Sequence, residues 1–156
     1  MANINAENIY FENAEIIFRN FSGHPGKYSR NQEKAPRTFS VLIDDPDMAQ
    51  KLSDDGWNVR ILRPRNEGDE PRHCIDATIN FNFWKKPEVY MICDGRKTRM
   101  DEEDLDILDG ADIVTADIVL RPRLWDDNGE TRIKAYLQEL YVTIQQSHFA
   151  AKYADM

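Results

Sequence analysis

The clearest signal along the chain is alternation. Ile75, Ala77, Ile79, Phe81 and Phe83 interleave with Asp76, Thr78, Asn80 and Asn82, the period-two pattern of a strand with one face in a core and the other in water. Phe39, Val41 and Ile43 alternate with Thr38 and Ser40 in the same way, and Trp57, Val59 and Ile61 do so after Gly56. Asn13 to Phe21 reads as a first strand, ended by Ser22-Gly23-His24-Pro25-Gly26, a cluster of turn formers. A long loop with Lys27, Arg30 and Lys34 then leads to the strand around Phe39. Val89 to Cys93 forms another short strand, closed by an Asp94-Gly95 turn.

Two short helices interrupt the strands. Asp45-Pro46 predicts a helix start, because the carboxylate accepts from free N–H groups and proline at the first helical position gives up no hydrogen bond. Met48 and Leu52 mark its inward face, and Gly56 its left-handed stop. Asp101 with Asp104 resembles a capping box and places Leu105 and Leu108 on the buried side of an acidic helix ending near Gly110.

The chain finishes on two long strands, about Ile113 to Trp125 and Thr131 to Ile144. Between them Asp126-Asp127-Asn128-Gly129 predicts a tight hairpin, since Asn-Gly accepts positive φ readily. In the last strand Ile133, Ala135 and Leu137 share one parity and Leu140, Val142 and Ile144 the other. One extra residue near Gln138 restores the register, which predicts a β-bulge, and bulges bend strands where sheets curl into barrels.

A length of 156 residues suffices for one self-supporting core, and 41% hydrophobic content excludes a disordered chain. The two cysteines, Cys74 and Cys93, lie in apolar stretches, and the N-terminus lacks the basic and apolar run of a secretory signal; a reducing, cytoplasmic setting is expected. No apolar segment approaches the roughly 20 residues that span a bilayer.

A formal net charge of −8 opposes phosphate binding at first sight. The charge is unevenly distributed, however. Residues 19–43 hold Arg19, Lys27, Arg30, Lys34 and Arg37 against Glu33 alone, while 101–117 is acidic throughout. Screening over about 10 Å at 0.1 M salt lets such regions act separately.

The final hairpin carries the most informative constellation. Arg121, Arg123 and Trp125 are spaced by two, as are Arg132, Lys134 and Tyr136 beyond the turn, so each trio shares a strand face. If the two faces coincide, four cations and two rings form one plate suited to phosphates and unpaired bases. The competing reading has the rings covering core edges and the cations simply solvated.

A second cluster, Phe83-Trp84-Lys85-Lys86 with Tyr90, sets aromatics beside ammonium groups at a strand end, with Trp84 on the polar parity opposite Phe83. Arg60, Arg63, Arg65 and Arg72 extend the cationic set.

Catalysis finds little support. His24, His73 and His148 show no zinc-like spacing, Asp44, Asp45 and Asp47 could hold Mg²⁺ as in a nuclease but are accounted for by helix capping, and the Gly23 to Tyr28 stretch lacks the spacing of a phosphate loop. No enzyme activity, cofactor or metal is expected.

The segments Phe11-Glu12-Asn13-Ala14-Glu15, Phe18 to Gly23, Asp55-Gly56-Trp57-Asn58-Val59 and Ala135 to Val142 resemble a family of small proteins from tailed phages and prophages over nearly the whole chain. Their element order is similar to the oligonucleotide-binding (OB) barrel of phage single-stranded DNA-binding proteins, in which a closing hairpin helps hold DNA. The resemblance implies a mainly β, OB-fold-like five-stranded barrel with a C-terminal hairpin and two short helices, residues 1–156 forming one domain. It implies sequence-independent binding of single-stranded DNA in replication or recombination, with replication or recombination proteins and further copies of the chain as candidate partners.

Arg121, Arg123, Arg132 and Lys134 would serve phosphates; Trp84, Trp125 and Tyr136 would serve bases; Arg19, Lys27, Arg30, Arg60, Lys85 and Lys86 would add charge. Many such proteins end in an acidic tail that recruits partners; in Phe149 to Met156 Asp155 is balanced by Lys152, so either that role is absent or the acidic segment around Asp101 to Asp109 replaces it. The acidic composition supports a competing reading, a phage interaction module or inhibitor that binds a host nucleic-acid enzyme.

Overall fold

The computed structural model describes residues 7–25, 35–64 and 67–145. Among them nine strands join one sheet: β1 (Ile9–Ala14), β2 (Ile16–Asn20), β3 (Arg37–Ile43), β4 (Val59–Leu62), β5 (Arg72–Ile79), β6 (Glu88–Cys93), β7 (Arg96–Met100), β8 (Ile113–Asp127) and β9 (Glu130–Ile144). Two helices, α1 (Pro46–Asp54) and α2 (Ile107–Gly110), and a 3-10 turn at Glu102–Asp104 complete the elements.

The main path of pairing runs β1-β8-β9-β5-β3-β2. Its two ends are consecutive pieces of chain separated only by Glu15, so the sheet curls back on itself without a ladder between its end strands. This open, curled sheet is the OB-like architecture anticipated above, with more strands than the five expected. The additions are β4, on the edge of β5, and β6 with β7, on the edge of β9. Strand β7 follows the Asp94-Gly95 turn directly and escapes a periodicity reading because Arg96, Lys97, Thr98 and Arg99 are all exposed. Only pairing with β6 makes it a strand.

The first strand, expected over Asn13 to Phe21, begins earlier, at Ile9, and divides at Glu15 where the chain bends. Asn13 and Phe18 adopt φ of 53° and 51°, each within a register shift of its ladder, and the Asn13 N–H donates to the Asp117 carboxylate at 2.9 Å. Strand β5 stops earlier than its alternation suggests. Asn80 Oδ1 accepts the Asn82 N–H at 2.8 Å, a local bond that turns the backbone away from the ladder after Ile79 and takes Phe81 and Phe83 out of the strand.

Strand β9 organises the rest. Its first half runs parallel to β5 through Ala77↔Ala135 and Thr78↔Tyr136, its second half runs parallel to β6, and β8 follows it antiparallel along the other edge. Val119 pairs with Glu139 and Leu120 with Leu137, so Gln138 is the extra residue of a bulge. The bulge keeps Ile133, Leu137, Leu140 and Val142 buried on both sides of the bend.

The helices plug the curled sheet. Asp45 accepts from the Asp47 N–H at 3.0 Å, Pro46 opens α1, Ala49 and Leu52 are buried, and Gly56 takes a φ of 103° just beyond its end. The acidic segment buries Leu105 and Leu108 completely, and Asp104 accepts from the Asp101 N–H at 3.4 Å.

From α2, Asp109 reaches the end of β2 and accepts from the Phe21 N–H, the Ser22 N–H and the Ser22 hydroxyl. Burial alone would raise its carboxyl pKa. The three hydrogen bonds, with the charge of His24, outweigh burial and hold it below the ordinary value. The stabilisation is therefore complete above the unfolded pKa of about 3.9 and is lost as pH falls through the lower native value. In urea unfolding between about pH 2 and 5, Asp109→Asn should flatten the fall in stability relative to the unmodified chain. Equal slopes would show that this carboxylate is not linked to folding.

Candidate functional site

The β8–β9 hairpin turns through Asn128 and Gly129 at φ of 51° and 89°, the mirror-image turn that matches strand twist. That turn sets the register, and the register sets the site. Arg121 pairs with Tyr136, Arg123 with Lys134 and Trp125 with Arg132. Directly opposed residues of an antiparallel pair project to the same side, so the two trios form one plate of three cross-strand pairs. Ala135 and Ile133, between them, are buried on the other side.

Phe83 joins this plate from outside the hairpin. Its ring meets Tyr136 edge-on at 4.9 Å between centroids, and the guanidinium groups of Arg121 and Arg123 lie over it at 5.1 and 5.3 Å. Arg123 and Lys134 also lie over the Tyr136 ring, at 5.8 and 5.3 Å. Tyr136 is accordingly only 8% exposed. It is a floor that orients cations rather than an open stacking face. The sequence had placed Phe83 on a core parity; the early end of β5 moves it here.

Two tryptophans remain open. Trp125 is 44% exposed and Trp84, on the turn after β5, is 93% exposed, beside Lys85 and Lys86, which are also exposed. A groove of about 640 Å³ runs from Trp125, Lys134, Arg123 and Tyr136 across Thr38 of β3 and Asp76 and Thr78 of β5. A smaller hollow of about 300 Å³ lies between Trp84, Phe83, Arg121 and Arg123. The polar residues of β3 and β5 were seen in the sequence only as the wet side of two strands, because nothing local marks that side as facing the hairpin.

Among the described residues Arg121, Arg123 and Lys134 have no carboxylate partner. Arg132 lies 3.4 Å from Glu130 and Arg60 lies 2.9 Å from Asp76. Other cations named from the sequence are placed differently. Arg19 donates to the carbonyls of Leu108 and Ala111 at 2.9 and 2.6 Å, satisfying groups at the end of α2. Tyr90 stacks on Tyr141 at 5.1 Å along the second half of β9, with Lys97 over its ring, and does not join Trp84. Lys27 and Arg30 lie outside the described residues. The loop that carries them is closed at its base by the Ala35 N–H donating to the Gly23 carbonyl at 3.0 Å. A Cβ on Gly23 would sit 2.8 Å from the Ala35 carbonyl oxygen, so only glycine fits that closure.

The fully buried Cys74 thiol is pushed up by burial, which the Arg60 charge offsets only in part. Among the described residues no three His, Cys, Asp or Glu side chains gather as a metal site, and no helix is long and apolar enough to cross a membrane.

A family model described as "Putative phage ssDNA-binding domain" matches residues 1–156. Among solved structures, a C-terminally truncated single-stranded DNA-binding protein from bacteriophage Enc34 is similar, with a TM-score of 0.54, 13% identity, 90% of this chain covered and 87% of that one. The same phage's protein in complex with single-stranded DNA is similar with a TM-score of 0.53, 13% identity and coverages of 90% and 88%. At this identity the likeness concerns the fold. No curated protein matches the sequence.

Proposed function

Because the chain belongs to the phage single-stranded DNA-binding domain family, we propose that it binds single-stranded DNA across the plate and the groove beside it. The observation that carries this reading is the set of cross-strand pairs Arg121↔Tyr136, Arg123↔Lys134 and Trp125↔Arg132 on one face. They supply cations spaced along a strand and rings beside them, the two components of single-strand binding without base readout. In OB folds the outer face of the second and third barrel strands, with the hairpin between the last two, is where oligonucleotides lie. Here those strands are β3 and β5, and the groove joins them to the β8–β9 hairpin.

Arg121, Arg123, Arg132 and Lys134 hold phosphates, with Arg60, Lys85 and Lys86 extending the track, and Trp125 and Trp84 stack on bases. Residues 1–156 act as one domain without catalysis, in the host cytoplasm, on strands exposed during replication or recombination.

Fluorescence anisotropy with labelled oligo-dT and a matched duplex over a salt series tests this. Each phosphate contacted contributes about −0.7 to the slope of log affinity against log salt, so engagement of all four plate cations gives a slope of about −3. Absence of salt-sensitive oligo-dT binding, even at low ionic strength, would remove the reading.

A further inference from the structure

Asp76 is an anion in a groove read as binding an anion. It lines the groove from β5, two residues before Thr78 and cross-strand from Ser40, with Thr38, Lys134 and Trp125 also in the lining. Its Oδ1 accepts from Arg60 Nη2 at 2.9 Å and also from the hydroxyl of Ser40, its cross-strand partner on β3. Ser40 is 3% exposed, so that bond fixes the carboxylate from below. The Asp76 and Arg60 side chains are 43% and 46% exposed, so the pair is open to solvent and to a ligand.

Arg60 is held from a second side. Its guanidinium lies 5.4 Å from the centroid of Phe18, an exposed ring presented by a residue at φ of 51°. Ring and carboxylate together orient the guanidinium on the outer surface beside the groove. A carboxylate and a phosphate present the same kind of charged oxygen acceptor to a guanidinium. Asp76 therefore occupies on Arg60 the position that a phosphate oxygen would take. A phosphate that takes this position on Arg60 does so by displacing Asp76 from it.

We propose that Asp76 is an internal competitor of DNA phosphate for Arg60, and that it lowers the affinity of the groove and so eases release of a bound strand. This rests on the reading of the groove as a single-stranded DNA site. A mere solubility charge would have no need of a buried hydroxyl beneath it. A half-exposed ion pair is a weak lock, so the competitor tunes affinity without closing the site.

The test is a double-mutant cycle with labelled oligo-dT across a salt series, on the full chain, with Asp76→Asn, Arg60→Ala and both together. The carboxamide of Asp76→Asn retains an acceptor for Ser40. Asp76→Asn should bind about three- to tenfold more tightly at low salt, with a slope steeper by about 0.7, the signature of one more phosphate contact. With Arg60→Ala in place, the same substitution should gain less than about twofold. Asp76→Thr, which suits a strand, should reproduce the gain, and thermal melting reports whether each variant is folded.

An equal gain in both backgrounds would make Asp76 a background charge and overturn the proposal. Weaker binding by folded Asp76→Asn would overturn it too, by making the carboxylate a support that aims Arg60 at DNA. An unmodified chain that binds no oligo-dT would instead remove the reading of the groove, and the competitor with it.

Discussion

Trp125→Ala should weaken oligo-dT binding by about 5- to 150-fold, the 1–3 kcal/mol that a base stacked on an aromatic ring contributes. The ring ends the plate toward the turn, cross-strand from Arg132, and borders the groove together with Lys134 and Tyr136. At 44% exposure it has a face free for a base, which Tyr136 lacks. Because it is not part of the core, the substitution should leave the melting temperature within the small range expected of surface changes. Anisotropy and a thermal melt on the same sample separate the two effects. An unchanged affinity would show that this ring meets no base, and the path of the strand would have to be drawn toward Trp84.

The second large effect concerns the support of the plate. Ile133 is fully buried, forms a bridge with Trp57, and donates its backbone N–H to the Gly56 carbonyl at 2.9 Å. It sits between Arg132 and Lys134 on the strand but faces the opposite way, so it ties the cationic face to the core beneath. Ile133→Ala removes buried methyl groups and leaves a cavity in the core cluster that also holds Trp57. A loss of about 2–5 kcal/mol in unfolding free energy is expected, read by urea denaturation. A loss below about 1 kcal/mol would mean that the base of the hairpin relaxes into the space, and that the plate does not depend on this anchor.

The two substitutions mark which parts of the site local pattern could reveal. The plate was legible because hairpin geometry is short-range. Asn128-Gly129 dictates the turn, the turn dictates the register, and the register puts residues of equal parity on one side. The bulge at Gln138 was legible for the same reason, since core positions on either side of it change parity. The capped start of α1 and the buried Leu105 and Leu108 followed from patterns only a few residues long.

What neighbours the plate was decided elsewhere. That Phe83 fills it, that Arg19 is occupied by carbonyls of α2, and that Tyr90 stacks with Tyr141 depend on contacts across tens of residues. The pairing of Asp76 with Arg60 is of the same kind. Each side chain was visible as the polar member of an alternating strand, but only the edge pairing of β4 with β5 brings the two charges together.

The sequence by itself determined the alternating strands, though not β7 or the end of β5, and the hairpin with its face of cations and rings, because those follow from a two-residue period and a local turn. Tertiary structure alone decided which strands share an edge and which of the exposed cations are already engaged, because parallel and edge pairing join residues that nothing in the local chain connects.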